Sequence, residues 1–470
     1  MMLSPILLQT DAPGHPDVPL AVTLLFGGVL LAMIGCLAFE EKLHARKSII
    51  TGAFAAISLL LGTAFDLLPF GPVTVGGHAL DLPVYVPGID WNVIAIILGS
   101  SLFVDVASKS GLFTWVAIRL TKASGGDPLR LLLFYGCMTV LFSAVLNNVT
   151  AMIIVGSLTV VSLDRLSRRD LLLGFLLTEG LLTNIGGLLT LISSVPNIIA
   201  GTAAGISFAK FFLVASPFVL VTTFATILMA ARIFRIRKLT DQKARDEART
   251  MVVGFEENDG IESRWFFWFG SIMLVAFIGT IATASVLPWI KDLGLGYVAL
   301  FFGLVMLVRY KATAEKFYQA IDWDLLGFFA SLFVIINVME YAEVLSLIGS
   351  GLEKVIAQGE LAGSGLTLIL SAAASSVTDN IPLTAMLAKI MGADPEIGPN
   401  PDSPFWWSVI FGANLGGNLT PIGSASTLVA VTIIHKEKLR MSFASFCKAA
   451  LPFALVQIVL ATAYLLLFLR

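Results

Sequence analysis

The amino-acid sequence predicts an all-α polytopic membrane protein built from two inverted repeats, each with five spans, one of them broken, plus one re-entrant hairpin. Three observations carry that expectation: a strongly apolar composition, a train of apolar runs separated by short basic clusters, and two blocks of sequence that recur in the second half. Of 470 residues, 57% are hydrophobic and 13% charged, so most of the backbone has to satisfy its own hydrogen bonds inside lipid, as helices do. The lipid bilayer is therefore the first expected partner. A net charge of −2, with basic residues confined to turns between apolar runs, gives no nucleic-acid surface. Cys36, Cys137 and Cys447 have neither metal-ligand nor disulfide spacing. His15, His44, His78 and His435 fall in expected loops, which argues against catalytic or transition-metal roles. The first residues have no basic n-region or clear cleavage pattern and read as a short mature terminus rather than a signal peptide.

A helical span needs about 20 apolar residues, and the first runs over residues 18–39, closed by the charged string EEKLHARK at 40–47. The second covers 49–68. The loop 69–90 has no lysine or arginine, whereas Lys42, Arg46 and Lys47 precede it, so the positive-inside rule puts this loop and the amino terminus outside. A third span starts near Trp91 and is followed by an interfacial segment to Lys122. The stretch 131–163 is interrupted by Asn147, Asn148 and Thr150 and is basic at both ends. Two ends on one side make it a re-entrant hairpin. Residues 171–200 hold too many polar and helix-breaking residues for an intact helix and read as a broken span, followed by a sixth segment, 211–231.

These boundaries give a first repeat over 1–231, a charged cytoplasmic linker over 232–264 that reads as solvated, and a second, inverted repeat over 265–470. The second repeat has its own hairpin at about 364–391 and its own broken span at about 405–434. Five crossings per half, an odd number, invert the second copy.

The repeat is legible residue by residue. TNIGGLLTLISSVPNIIA (183–200) aligns without gaps to ANLGGNLTPIGSASTLVA (413–430), and SAVLNNV (143–149) aligns to SSVTDNI (375–381). Asn147 thereby pairs with Asp379 and Asn148 with Asn380, and TAM at 150–152 reappears at 384–386 after a two-residue insertion. Two blocks at nearly one spacing make coincidence improbable.

Lipid tolerates broken backbone only where it lines a protein-enclosed cavity, and unwound helix ends offer carbonyls to a cation and amides to an anion. The tips alone do not choose between the two. Acidic residues narrow the choice: Asp379 stands at the second tip and Glu179 lies five residues before Asn184, at depths where a charge is costly and usually functional. A carboxylate there binds a cation or a proton in turn. Asp105 and Glu340 lie near span ends, where interfacial solvation explains them.

NNVTAM, TNIGG, TDNIPLTAM and GANLGGNLTPIGSAS resemble the ion transporter superfamily, specifically its NhaD, P-protein and ArsB branch, over nearly the whole chain. EEKLHARKS is similar to the NhaD sodium/proton antiporter pattern. SVPNIIAGTAAGISF is similar to a segment that many relatives write with GDPPN, with Ser193 and Ser194 standing here for its Gly and Asp. The resemblance implies a homodimer with a scaffold domain and a transport domain that moves as an elevator, and two binding regions. The first region is Asn147, Asn148, Thr150, Asn184 and Gly187; the second is Asp379, Asn380, Thr384, Asn414, Gly417, Thr420 and Ser424.

The expected function is secondary transport in a bacterial inner membrane, with sodium or lithium exchanged for protons at those residues, Asp379 and Glu179 as proton-coupling groups, and no cofactor or transition metal. An anion or oxyanion transporter for arsenite, antimonite, silicate or a dicarboxylate, proton- or sodium-coupled, is the alternative. An intramembrane enzyme would need a nucleophile with a base or metal set, and no histidine lies in an expected span. A channel fits broken inverted helices less well than alternating access.

Overall fold

The computed structural model describes residues 18–70, 73–75, 78–258, 260–309, 314–319 and 321–469. The amino-terminal segment with His15, and Lys311, lie outside them. The described chain opens with α1 (Leu20–Ala38), the short α2 (Glu40–Leu43) and α3 (Lys47–Ala64). Loop 69–90 carries an addition to the helical expectation, an antiparallel hairpin of β1 (Val73–Val75) and β2 (His78–Leu80) with Val73 opposite Leu80. The first half continues through α4 (Trp91–Ser108), α5 (Leu112–Ser124), α6 (Pro128–Val145), α7 (Asn148–Arg165), α8 (Leu172–Gly187), α9 (Val195–Ala204) and α10 (Phe208–Ile233). A connecting helix, α11 (Gln242–Val253), precedes α12 (Arg264–Thr283), α13 (Ile290–Arg309), α14 (Ala314–Gln319), α15 (Trp323–Tyr341) and α16 (Val344–Ile356). The chain ends with α17 (Glu360–Val377), α18 (Asn380–Ala393), α19 (Pro404–Gly416), α20 (Ala425–Lys436) and α21 (Phe443–Phe468).

Eleven of the described helices are long and apolar enough to cross a membrane. Three of them, α6, α7 and α17, are arms of the two helical hairpins. The other eight, with the two broken spans α8/α9 and α19/α20, make the ten crossings that the sequence predicts. The repeat is wider than the two aligned blocks: α4 and α15, α5 and α16, α6 and α17, α7 and α18, and α8 and α19 all start 232 positions apart (323 − 91, 344 − 112, 360 − 128, 380 − 148, 404 − 172). Each half closes on a 26-residue helix, α10 or α21, with a proline inside it, Pro217 or Pro452.

Local chemistry explains the boundaries. Asp127 caps α6 by accepting from Leu129 N and Arg130 N, both at 3.1 Å, with Pro128 at the first helical position. Gly294, at φ 78°, interrupts α13 near its start. His435 departs from its expected loop: it sits in the last turn of α20, and its ring is hydrogen-bonded to Met441 O at 2.8 Å. The segment 232–264, mostly exposed, is also anchored to the bundle. Glu257 pairs with Arg119 at 3.2 Å and Lys122 at 3.3 Å, and Leu239 N donates to Asp127 Oδ2 at 2.9 Å. Arg119 and Lys122, three residues apart on α5, form one helical face, and the acid of the connecting segment seats on it.

The chain divides into two compact units, Met1–Ile94 with Asp322–Lys354, and Ala95–Ile321 with Val355–Arg470. Inside the first, α3 packs on α15 across small residues, and Ser48 N donates to Asp324 Oδ1 at 3.1 Å. The second unit contains both hairpins and both broken spans.

Candidate functional site

Each hairpin tip is a helix N-terminus capped by the residue before it. Asn147 Oδ1 accepts from Thr150 N at 2.7 Å, and Asp379 Oδ1 accepts from Ile381 N at 3.2 Å. Asn and Asp are favoured caps, so both tip residues have a structural task. Asn147 is exposed, and Thr150 and Asp379 are half-buried.

The two breaks are built alike. Ser143 Oγ donates to Thr183 O at 2.6 Å, and its counterpart Ser375 Oγ donates to Ala413 O at 2.6 Å. Thr190 Oγ1 donates to Ala144 O at 2.5 Å, and Thr420 Oγ1 donates to Ser376 O at 2.6 Å. In each half a serine and a threonine tie the ingoing hairpin arm to the broken span. The glycine pairs allow the approach: a Cβ on Gly186 would lie 2.6 Å from Val140 O, and one on Gly416 would lie 2.3 Å from Ala372 O. The second glycine of each pair faces side chains, Asn148 at 2.7 Å from a Cβ on Gly187 and Ser424 at 2.9 Å from one on Gly417.

The halves then exchange partners. Helix α7 packs on α20, and α18 packs on α9. Ser194 Oγ donates to Asn414 Oδ1 at 2.8 Å, while its counterpart Ser424 Oγ donates to Asn184 Oδ1 at 2.9 Å. Asn184 Oδ1 also accepts from Ser426 Oγ at 3.1 Å and Asn148 Nδ2 at 3.3 Å. Asn414 Nδ2 donates to Asn197 Oδ1 at 2.8 Å, and Asn197 Nδ2 donates to Gly187 O at 2.6 Å. These amides and hydroxyls are buried apart from the half-buried Asn148, and satisfying a buried polar group is what keeps it from costing about 1–3 kcal/mol.

Of the expected site residues, Asn148, Asn184 and Ser424 meet in one part of the network and Asn414 in a second part with Ser194 and Asn197, with Gly187 and Gly417 giving the clearance. Thr384 is buried, but its hydroxyl donates to Asn380 O in its own helix at 2.7 Å, and Thr420 is occupied as described. The copies differ at the amides. The Asn148 carboxamide donates to Asn184 and lies 2.7 Å from Ser143 Oγ, whereas the Asn380 carboxamide takes no hydrogen bond among the described residues. Asp105 pairs with Lys109 at 3.9 Å toward the end of α4. Glu179 stands outside the network, buried between α7 and α8, where Thr159 Oγ1 donates to its Oε1 at 2.6 Å.

Ser194, Asn197, Ser426, Asn418, Gln457 and Thr226 belong to the network but not to the expected site residues. Asn418 Oδ1 accepts from Asn184 Nδ2 at 2.8 Å, Asn418 Nδ2 donates to Gln457 Oε1 at 2.8 Å, and Gln457 Nε2 donates to Thr226 Oγ1 at 3.1 Å. The repeat hides Asn418 because Leu188 is its counterpart, and Ser426 because Pro196 is its counterpart. Gln457 was legible as a lone amide in an apolar span. Thr226 carried no such signal.

The fold has solved counterparts: the YdaH transporter of Alcanivorax borkumensis superposes with a TM-score of 0.59 over 94% of this chain and 97% of that one, at 14% identity. Among sequences, a 46 kDa membrane protein of Mycobacterium leprae is 30% identical over 383 residues, 80% of this chain and 86% of that protein. The human P protein is 24% identical over 517 residues, 93% of this chain but 59% of the P protein. The family model for citrate transporters, CitMHS, matches residues 6–412. With inverted broken spans, two helical hairpins and that match, the chain is a multi-pass secondary membrane transporter, not an enzyme, and it belongs to the CitMHS citrate transporter family within the ion transporter superfamily.

Proposed function

We propose that the chain exchanges sodium or lithium for protons at the tips and breaks described above. The supporting observation is the chemistry of the expected site residues: amides, hydroxyls, backbone and one carboxyl, Asp379, with no lysine or arginine among them. Neutral oxygens with a carboxylate suit a small hard cation, and the carboxylate takes a proton once the cation leaves. In this reading the hairpin-bearing unit moves as an elevator, the protein is a homodimer in a bacterial inner membrane, and no cofactor takes part. The two repeats span 1–231 and 265–470, with the amino terminus outside and 232–264 cytoplasmic.

A second reading has specific support. The helix N-termini of α7, α9, α18 and α20 all lie at the tips and breaks, helix N-termini favour anions, and the family description names citrate. The cargo is then a carboxylate or an oxyanion, coupled to protons or sodium.

Proton movement in proteoliposomes under an imposed pH gradient separates the two readings when sodium, lithium, potassium, citrate, a dicarboxylate and arsenite are added in turn. Collapse of the gradient by sodium or lithium supports exchange. Silence to every cation, with uptake of an anion, refutes exchange and moves the chain to the second reading.

A further inference from the structure

One buried carboxyl has no part in the central network. Glu179 is 1% exposed; Thr159 is its one hydrogen-bond partner, and its Oε2 has none among the described residues. The gap-free alignment of the broken spans puts Val409 at the equivalent position (179 + 230), so Glu179 is not needed to build the repeated architecture. A carboxylate with one bare oxygen and no cation beside it costs several kcal/mol to hold in a protein interior. A proton removes that charge and leaves only a neutral carbonyl oxygen unpartnered.

Helix α8 packs against α6, α7, α10, α19 and α20 and the short turn Arg169–Leu171. The ionisable side chains there are Arg130, Tyr135 and Cys137 on α6, Asp164 and Arg165 on α7, Lys210 and Arg232 on α10, His435 and Lys436 on α20, and Arg169 and Asp170 in the turn, with none on α19. The charged ones stand in terminal turns. Tyr135, in the middle of α6, interacts electrostatically with Glu179.

Tyr135 also belongs to a chain of buried hydroxyls. Thr121 Oγ1 on α5 lies 2.8 Å from Tyr135 OH, which lies 2.7 Å from Ser162 Oγ on α7. Ser162 and Thr159 are three residues apart on α7, on one face and about 4.5 Å apart along the axis. No hydrogen bond joins Ser162 to Thr159 among the described residues, and a proton route along this face needs one bridging water at that step.

We propose that Glu179 is a proton-binding site separate from the ion site, loaded through the hydroxyl string Thr121–Tyr135–Ser162–Thr159 from the end of the unit where α5 carries Arg119 and Lys122. Each hydroxyl accepts one proton and donates another, so each is neutral again after transfer, and its O–H turns back before the next proton passes. In the last step Thr159 passes its proton to Oε1 and takes one from the water; release reverses the sequence. The assignment rests on the proton-coupled reading above and holds for a cation or an anion as cargo.

Infrared difference spectra of the full chain in lipid, recorded across pH in H2O and D2O, report directly on the carboxyl. The expected result is a protonated-carboxyl band that titrates, shifts in D2O and is lost in Glu179→Gln. Thr159→Val keeps the carboxyl and shifts the band by removing its hydrogen bond, which identifies the band even where Glu179→Gln does not fold. Tyr135→Phe slows deuterium exchange into the band, while Thr159→Ser keeps the wild-type rate. Absence of the band from wild type, or its persistence in Glu179→Gln, overturns the site; unchanged exchange in Tyr135→Phe overturns the route. Cargo transport by wild type without proton movement would instead defeat the coupled reading, whatever the band does.

Discussion

An alanine at Gly416 would put its methyl 2.3 Å from Ala372 O and 2.8 Å from Ala372 Cα. A carbon and a carbonyl oxygen need roughly 3.3 Å, so α17 and α19 have to part by about 1 Å there. Both obstructing atoms are main chain, and no rotamer change relieves them. Overpacking of this kind costs about 1–3 kcal/mol, and a backbone obstacle places Gly416→Ala toward the upper end. The same separation shifts residues 417–424, whose Ser424 holds Asn184 at 2.9 Å, and about 1 Å of added length exceeds hydrogen-bond range. Gly279→Ala is the control: nothing lies within 4 Å of its Cβ, and Gly→Ala inside a helix stabilises by about 0.5–1 kcal/mol. Thermal unfolding of the purified variants and flux in proteoliposomes are the assays. Gly416→Ala should melt lower and transport more slowly, and Gly279→Ala should do neither. A Gly416→Ala protein with wild-type melting and flux refutes the argument that close α17–α19 contact fixes the second break.

Asp379→Asn keeps a good helix cap and loses the charge, so stability should hold while sodium-evoked proton movement disappears; Asp379→Ala should in addition lose about 0.5–2 kcal/mol on unfolding. Retained coupling in Asp379→Asn would leave the carboxyl a cap only. Ser194→Ala and Ser424→Ala remove the two exchanged bonds, and each should destabilise by about 1–3 kcal/mol in denaturation of the purified protein. A large difference between them would mean that the two breaks are not equivalent in energy.

The aligned blocks made the hairpins, the breaks and the glycine pairs legible because a repeated sequence has to build a repeated structure. They did not say what the polar residues would touch. The amides look alike in the two copies, and each broken-span amide oxygen accepts from the other half's serine, yet Asn184 also accepts from Asn148 whereas Asn414 does not accept from Asn380. Long-range pairs of this kind, 220 residues apart for Ser194 and Asn414, leave no local signal.

Composition and apolar run length determined the solvent, the helical class and the ten crossings, because lipid permits few other solutions. The sequence could not decide that the connecting segment lays Glu257 against α5, that loop 69–90 forms a hairpin of strands, or that the glycines work mainly by close approach to backbone. It also could not show that Glu179 is sealed between α7 and α8 with a hydroxyl string beside it. Those outcomes depend on which helix faces meet, and in a bundle whose faces are nearly all apolar, hydrophobic periodicity does not specify the pairing; shape and the few buried polar contacts do.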